Sequence, residues 1–390
     1  IILWFAFELT TILIPALLLP VLYIISGITT ASTAFSPWAT NIPWMVLAAL
    51  LIVIVVERVG LLNRAAYFVL WKSGGGYMQI LLSLLLISCI FNLVFSGMTY
   101  VIVVPVVYGI CKALSLENTK TGAGLMFAGM IAANMPSIIV YNPGWIGMSI
   151  SIVESTMGLS VSYIECLMHN IVFLPLCFIM LFVISKMYKQ DVEFQGKEFF
   201  EATYKSFGKM RKEEKKSLGV LIVLLLGLVT SGVHGIALGW IFLLAAVAFF
   251  LPGINVGNES DIAKVNFSLV IFMVSCMSIG QVSAELGIGG IIADLVGPIM
   301  GQTSPTIFVA ITWLLAVVLN VMMTPLAAIA TFSLPIAQIA LDYGISPLPI
   351  FYAFFQGLDQ VFLPYEYLNY LFAFAFGLVT TKQFLSFFSV

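Results

Sequence analysis

Two stretches of this chain combine polar and small residues where a helix would otherwise run unbroken. Asn92 to Pro105 reads Asn-Leu-Val-Phe-Ser-Gly-Met-Thr-Tyr-Val-Ile-Val-Val-Pro, and Asn320 to Pro335 reads Asn-Val-Met-Met-Thr-Pro-Leu-Ala-Ala-Ile-Ala-Thr-Phe-Ser-Leu-Pro. Each lies inside a long apolar run and closes on proline. A broken helix strands backbone N–H and C=O groups, and each stranded group costs several kcal/mol in hydrocarbon. Half-helix N-termini then offer N–H groups and positive dipole to an anion. Half-helix C-termini and unwound carbonyls offer oxygen to a cation. The hydroxyls of Ser96, Thr99 and Thr324 can serve either partner, or bond the carbonyl one turn earlier.

Two further interruptions follow. Asn134, Pro136, Asn142, Pro143 and Gly144 break one apolar stretch, and Asp359, Pro364 and Glu366 break another. A re-entrant hairpin with its tip buried in protein accommodates such residues. Carboxylates at membrane depth are costly and mark functional sites. Glu366 or Asp359 could ligate a cation, carry a proton or pair with a cationic group. The expected substrate-binding set is therefore Ser96, Gly97, Thr99, Asn142, Pro143, Thr324, Pro325, Glu366 and Asn369. The expected cation-binding set is Asn92, Asn134, Asn320 and Asp359. Tyr100, Tyr141, Trp145, Tyr365, Tyr367 and Tyr370 surround the same segments, either as packing or as aromatic cavity walls.

The elements that must position these residues are membrane helices. The chain is 61% hydrophobic and 9% charged, with a mean hydropathy of +1.11; soluble domains carry about 25% charged residues. Long apolar blocks recur without alternation, which predicts about ten α-helical spans and argues against a β-barrel. Nine of the 16 Lys and Arg fall between Lys186 and Lys216. That concentration predicts a cytoplasmic connector at 186–217, between membrane halves at 1–185 and 218–390. A net charge of −2 and the lack of any other basic cluster argue against nucleic-acid binding. Cys89, Cys111, Cys166, Cys177 and Cys276 are odd in number and form no CxxC, so reduced apolar thiols are expected. Ile1 in place of methionine predicts that the natural start lies upstream. Hydrolase, metalloprotease and P-loop motifs are absent, so no enzyme and no self-contained ATP-driven pump is expected.

The halves share an order of motifs. Asn92 matches Asn320 at an offset of 320 − 92 = 228, and Gly60 matches Gly287 at 287 − 60 = 227. This predicts an all-α polytopic membrane protein with two inverted repeats, about 41–185 and 262–390, holding broken helices and re-entrant hairpins near the midplane.

Several stretches carry a resemblance to the divalent-anion/sodium symporter family of the ion-transporter superfamily. They are Ser206 to Lys216 with His234-Gly235-Ile236 and Leu251-Pro252-Gly253, Leu334 to Pro347, Phe362 to Tyr365, and the late Gly377, Lys382 and Phe384. The similarity runs over nearly the whole chain. Where the family has Ser-Asn-Thr at each break, this chain has Ser96-Gly97-Met98-Thr99 and Thr324-Pro325-Leu326-Ala327. The resemblance implies a homodimeric scaffold, an elevator-like transport domain and cation-coupled (Na⁺) symport of a small anion, such as a di- or tricarboxylate or an inorganic anion. No cofactor is expected, with Na⁺ as the possible coupling ion. Lipid and a small-molecule or ion substrate are the expected partners, in a multi-pass plasma (inner) membrane setting. Two alternatives stand beside this reading. One is a proton- or cation-coupled antiporter or exporter using Glu366 or Asp359. The other is a non-transporting membrane subunit on the same scaffold.

Overall fold

The computed structural model describes residues 11, 13–192, 196–287, 304–322, 325–361, 367–374 and 376–389, which are helical with no strand among them. In chain order the main helices begin with α1 (Leu13–Ile25), α2 (Asn41–Val59), α3 (Leu61–Ser73), α4 (Tyr77–Phe95), α5 (Tyr100–Ala113) and α6 (Lys120–Asn134). Next come α7 (Met148–Met157), α8 (Tyr163–Asn170), α9 (Leu174–Met187), α10 (Gly196–Ser206), α11 (Lys212–Val229) and α12 (Leu238–Ala248). The last are α13 (Phe267–Glu285), α14 (Pro305–Met322), α15 (Pro325–Asp342), α16 (Pro347–Leu358), α17 (Leu368–Phe374) and α18 (Thr381–Phe388).

Among the described residues, four helical stretches are long and apolar enough to cross a bilayer: Asn41–Val59, Tyr77–Phe95, Lys120–Val153 and Tyr163–Met187. Shorter apolar helices, α1, α5 and α12 among them, accompany these. Large apolar side chains also point outward, including Val172, Ile179 and Phe182 around α9 and Ile222, Val223 and Leu226 on α11. Such surface is stable against lipid and not against water. The protein is thus a multi-pass membrane protein by composition and by exposure.

The chain divides into two compact units, each drawn from both halves of the sequence. One comprises residues 1–47, 143–161 and 266–361; the other comprises 48–142, 162–265 and 362–390. In the first, α1 packs on α13, α7 packs on α15, and α14, α15 and α16 pack on one another. In the second, α4 and α5 flank α6, which is buried on every side. The small residues Gly122, Ala123, Gly124, Ala128 and Gly129 let those neighbours approach.

The connector is fastened to the second unit at two places. At its start, the Asp191 carboxylate accepts from the backbone N–H groups of Lys120 and Thr121 and from the Thr121 hydroxyl. These bonds at a helix N-terminus pull the Asp191 carboxyl down to about 2. At its end, Arg64 pairs with Glu214 at 3.1 Å, both buried, and donates to the carbonyls of Phe207 and Gly208. Arg58 pairs with Asp261 at 2.7 Å and donates to the Val256 carbonyl. Between these points Phe200 of α10 is fully buried in a ring cluster with Tyr67 and Phe199. Gly75 at φ +80° meets the backbone of Lys197 so closely that a Cβ would lie 2.2 Å from its nitrogen. Glu285 accepts from Thr29.

Candidate functional site

The first break is as predicted. α4 ends at Phe95, Ser96 leaves the helical region at ψ 128°, and α5 starts at Tyr100 with Thr99 as its N-cap. Gly97 turns the chain at φ +81°, a conformation that costs a side-chain-bearing residue roughly 1–2 kcal/mol. A Cβ there would lie 3.2 Å from the Asn142 side-chain nitrogen. Gly97 and Asn142, predicted together, are neighbours. Among the described residues, no backbone carbonyl accepts from the N–H groups of Gly97, Thr99 or Tyr100. Thr99 is fully buried and Gly97 and Tyr100 are half-buried, so the start of α5 is a half-helix N-terminus whose first N–H groups are free of backbone carbonyls. The Thr99 hydroxyl turns back to the Phe95 carbonyl at 3.4 Å, and Ser96 reaches the Ser137 carbonyl at 3.4 Å.

Asn92, one turn before the break, is fully buried. Its Nδ2 donates to the carbonyls of Ser88 at 2.9 Å and Ala133 at 3.2 Å. Its Oδ1 is buried with no partner among the described residues. Ala133 and Asn134 end α6 just as the chain enters a 3₁₀ turn at Met135–Ile138, followed by a π turn at Pro143–Gly147. The predicted interruption is thus present at this position. Asn134 Nδ2 donates to the Met130 carbonyl at 2.8 Å, while its Oδ1 accepts from Asn369 Nδ2 at 2.6 Å. Asn92, Ser96, Gly97, Thr99, Asn134, Asn142 and Asn369 all belong to the second compact unit.

Pro143, Asn320, Pro325 and Asp359 belong to the first. Asn320, near the end of α14, is buried and donates through Nδ2 to the Gln360 carbonyl at 2.6 Å. Its Oδ1 also has no partner among the described residues. Gln360 folds back onto the Gln356 carbonyl, and Gln356 Nε2 is buried without a partner. Asp359 caps the C-terminus of α16 and is half-buried. Its carboxylate makes no ion pair among the described residues. Pro325 is the buried first residue of α15, where proline's missing N–H costs nothing. Thr324 and Glu366 lie outside the described residues, as do Pro364 and Tyr365.

Some ring expectations resolve toward packing. Tyr100 packs on Phe372 at 5.5 Å, Trp145 on Phe355 at 5.9 Å and Tyr370 on Phe388 at 5.0 Å. Cys89, Cys111, Cys166 and Cys177 are free thiols. Among the described residues no group of three His, Cys, Asp or Glu side chains could hold a metal ion. Sequence reading missed a buried hydroxyl pair, Ser149 with Ser333 at 2.8 Å, which joins α7 to α15. Nothing in the local pattern of either serine marks it. It also passed over Gln356 and Gln360, whose closeness to Asp359 was the available signal.

Asn92 and Asn320 thus each donate to a carbonyl at the next interruption. Residues 2–356 match the family model of CitMHS, described as a citrate transporter. The chain belongs to the citrate transporter family. That family lies in the ion-transporter superfamily and is related to the divalent-anion/sodium symporters, the relatives to which the sequence was likened. Comparison with individual curated proteins finds no match. Membership makes the chain a membrane transporter of the citrate and carboxylate class and not an enzyme.

Proposed function

We propose that this chain carries citrate or a similar small carboxylate across the membrane by cation-coupled symport, with Na⁺ as the coupling ion. Family membership supports the substrate class. The observation that carries the coupling is the pair of orphaned side-chain oxygens, Asn92 Oδ1 and Asn320 Oδ1. A buried amide oxygen without a donor costs about 1–3 kcal/mol, and a hard cation that takes oxygen ligands removes that cost. The unanswered N–H groups at the start of α5 suit the opposite end of the same transport event, a carboxylate.

The two asparagines also support the inverted repeat. Asn92 ties to a carbonyl 41 residues on, and Asn320 to one 40 residues on. Each half then has a broken helix laced to the following interruption by one amide. On this reading Ser96, Gly97, Thr99, Asn142 and Asn369 of the second unit, and Pro143, Thr324 and Pro325 of the first, are the candidates for carboxylate binding. Asn92, Asn134, Asn320 and Asp359 serve the cation. A homodimeric elevator arrangement with the 186–217 connector facing the cytoplasm of a plasma (inner) membrane completes the proposal.

Citrate concentrates negative charge, and no Lys or Arg occurs at either break. Bound cations and helix N-termini must therefore supply the neutralising charge. Glu366 beside a carboxylate would have to be protonated or cation-bound. A second reading replaces Na⁺ by a proton carried on Asp359, favoured by the absence of an ion-pair partner for that carboxylate among the described residues. Uptake of labelled citrate into proteoliposomes under an imposed Na⁺ gradient, and separately under a proton gradient, decides between them. Accumulation under the Na⁺ gradient alone supports the first reading. Accumulation under the proton gradient alone supports the second, and flux under neither would remove both.

A further inference from the structure

The connector's charges look mixed in sequence, and folding sorts them by sign. Of its described acids, Asp191 is used on the N-terminus of α6 and Glu214 is buried against Arg64. Glu201 pairs with Lys205 at 2.5 Å. Only Glu198 and Glu213 remain exposed without an ion pair. Among the cations, Arg211 donates to the Val59 carbonyl and Lys216 to the carbonyls of Gly253 and Ile254. Lys186, Lys189, Lys197, Lys209, Lys212 and Lys215 stay exposed, none of them in an ion pair. The exposed charge outside ion pairs in the described connector is therefore mostly basic, six lysines against Glu198 and Glu213.

Its place in the fold is set by chain connectivity. Lys186 and Lys189 lie at the C-terminal end of the apolar α9, and Lys209, Lys212 and Lys215 precede or open α11, before its apolar run from Leu218, positions at helix ends that border lipid headgroups. Aromatic groups mark the same level. Lys72 lies 4.2 Å over the Trp71 ring, and Trp71 stacks on Tyr204 of α10 at 5.3 Å. Half-exposed Trp and Tyr settle at headgroup depth. Lys212 and Lys215 also sit in the first turn of α11, where the helix dipole disfavours a cation. Local helix stability therefore does not explain them.

We propose that this basic face is a docking surface for the anionic headgroups of the lipid leaflet it borders, with Lys209, Lys212 and Lys215 as its centre. The ligand chemistry is a phosphodiester anion fixed in a bilayer. Juxtamembrane lysines gain from a negative leaflet, and the gain falls with salt. The surface lies apart from both helix breaks in sequence and uses none of their residues.

The test uses the full chain in uncharged detergent, titrated with phosphatidylglycerol or with phosphatidylcholine, with bound lipid measured by native mass spectrometry. Preference for phosphatidylglycerol should fall roughly fivefold for each lysine removed in the series Lys209→Gln, Lys212→Gln and Lys215→Gln. The Lys→Arg series should keep it, and added salt should weaken it in the unaltered protein. Equal binding of the two lipids would overturn the proposal, as would a preference untouched in the triple glutamine variant. Full competition by millimolar inorganic phosphate would do the same, by pointing to a soluble anion. The salt titration of the unaltered chain decides the matter should the triple variant fail to fold.

Discussion

The first and second breaks use the same amide lacing but differ in what lies around it. At the first, Asn92, Gly97, Thr99 and Asn142 are neutral, beside a half-buried helix N-terminus and with no carboxylate among the predicted residues. At the second, Asn320 ties to a segment that carries Asp359 on the C-terminal end of α16. One break therefore presents donors to negative charge. The other presents carbonyls and an acid to positive charge. On the function proposed above, both asparagine oxygens serve the cation, the N–H groups at the first break serve the carboxylate, and Asp359 adds a charge for the cation at the second.

The largest expected effect comes from cutting the lacing itself. Asn92→Ala leaves the carbonyl of Ala133 unanswered and Asn320→Ala does the same to that of Gln360. Each is expected to lower citrate transport about a hundredfold, since a buried unpaired group costs about 1–3 kcal/mol and the cation loses a ligand as well. Initial uptake rates in proteoliposomes check this. Near-normal rates in both variants would dissolve the comparison.

Asp359→Asn sharpens it. Half-saturation for Na⁺ should rise about tenfold or more with citrate affinity changed less, because one charge–cation attraction is removed and roughly 1.4 kcal/mol is tenfold. A matching loss at any Na⁺ concentration, together with loss of pH dependence, would instead favour the proton reading. Gly97→Ala probes the neutral side. Strain of roughly 1–2 kcal/mol at φ +81° and the crowding of Asn142 should weaken citrate about tenfold and leave Na⁺ half-saturation nearly unchanged. The smallest effect lies away from both breaks. Asp191→Asn should destabilise the start of α6 by a few tenths to about 1 kcal/mol. With the Asp191 carboxyl at about 2 in the folded protein, its contribution is complete above the ordinary Asp value and fades as pH falls from about 4 toward 2. Thermal unfolding of wild type and variant across that range should converge at the acid end.

Much of this was legible beforehand. The break at Ser96–Thr99 showed itself because glycine and hydroxyl residues interrupt an apolar run, and hydrocarbon penalises such an interruption unless it has a use. The offset of 228 selected Asn92 and Asn320 together, and both proved buried and oriented alike toward the next interruption. The membrane class followed from composition alone. Other features were not legible. Arg64 with Glu214 and Arg58 with Asp261 join residues 150 and 203 positions apart, and their fit depends on tertiary packing that no local period encodes. The aromatic residues read equally as cavity wall or packing, since ring chemistry serves both. The basic face of the connector was hidden for a related reason. Its acids and lysines alternate in sequence, and only the fold shows which acids are turned inward.

The central claim is that a cation gradient drives carboxylate movement through sites built on Asn92 and Asn320. The most direct measurement is accumulation of labelled citrate against its own gradient in proteoliposomes, driven by an imposed Na⁺ gradient, for the unaltered chain and for the Asn92→Ala/Asn320→Ala double variant. The account predicts uphill accumulation in the first and none in the second. Citrate that merely equilibrates in the unaltered protein, or accumulates equally in the double variant, would contradict it.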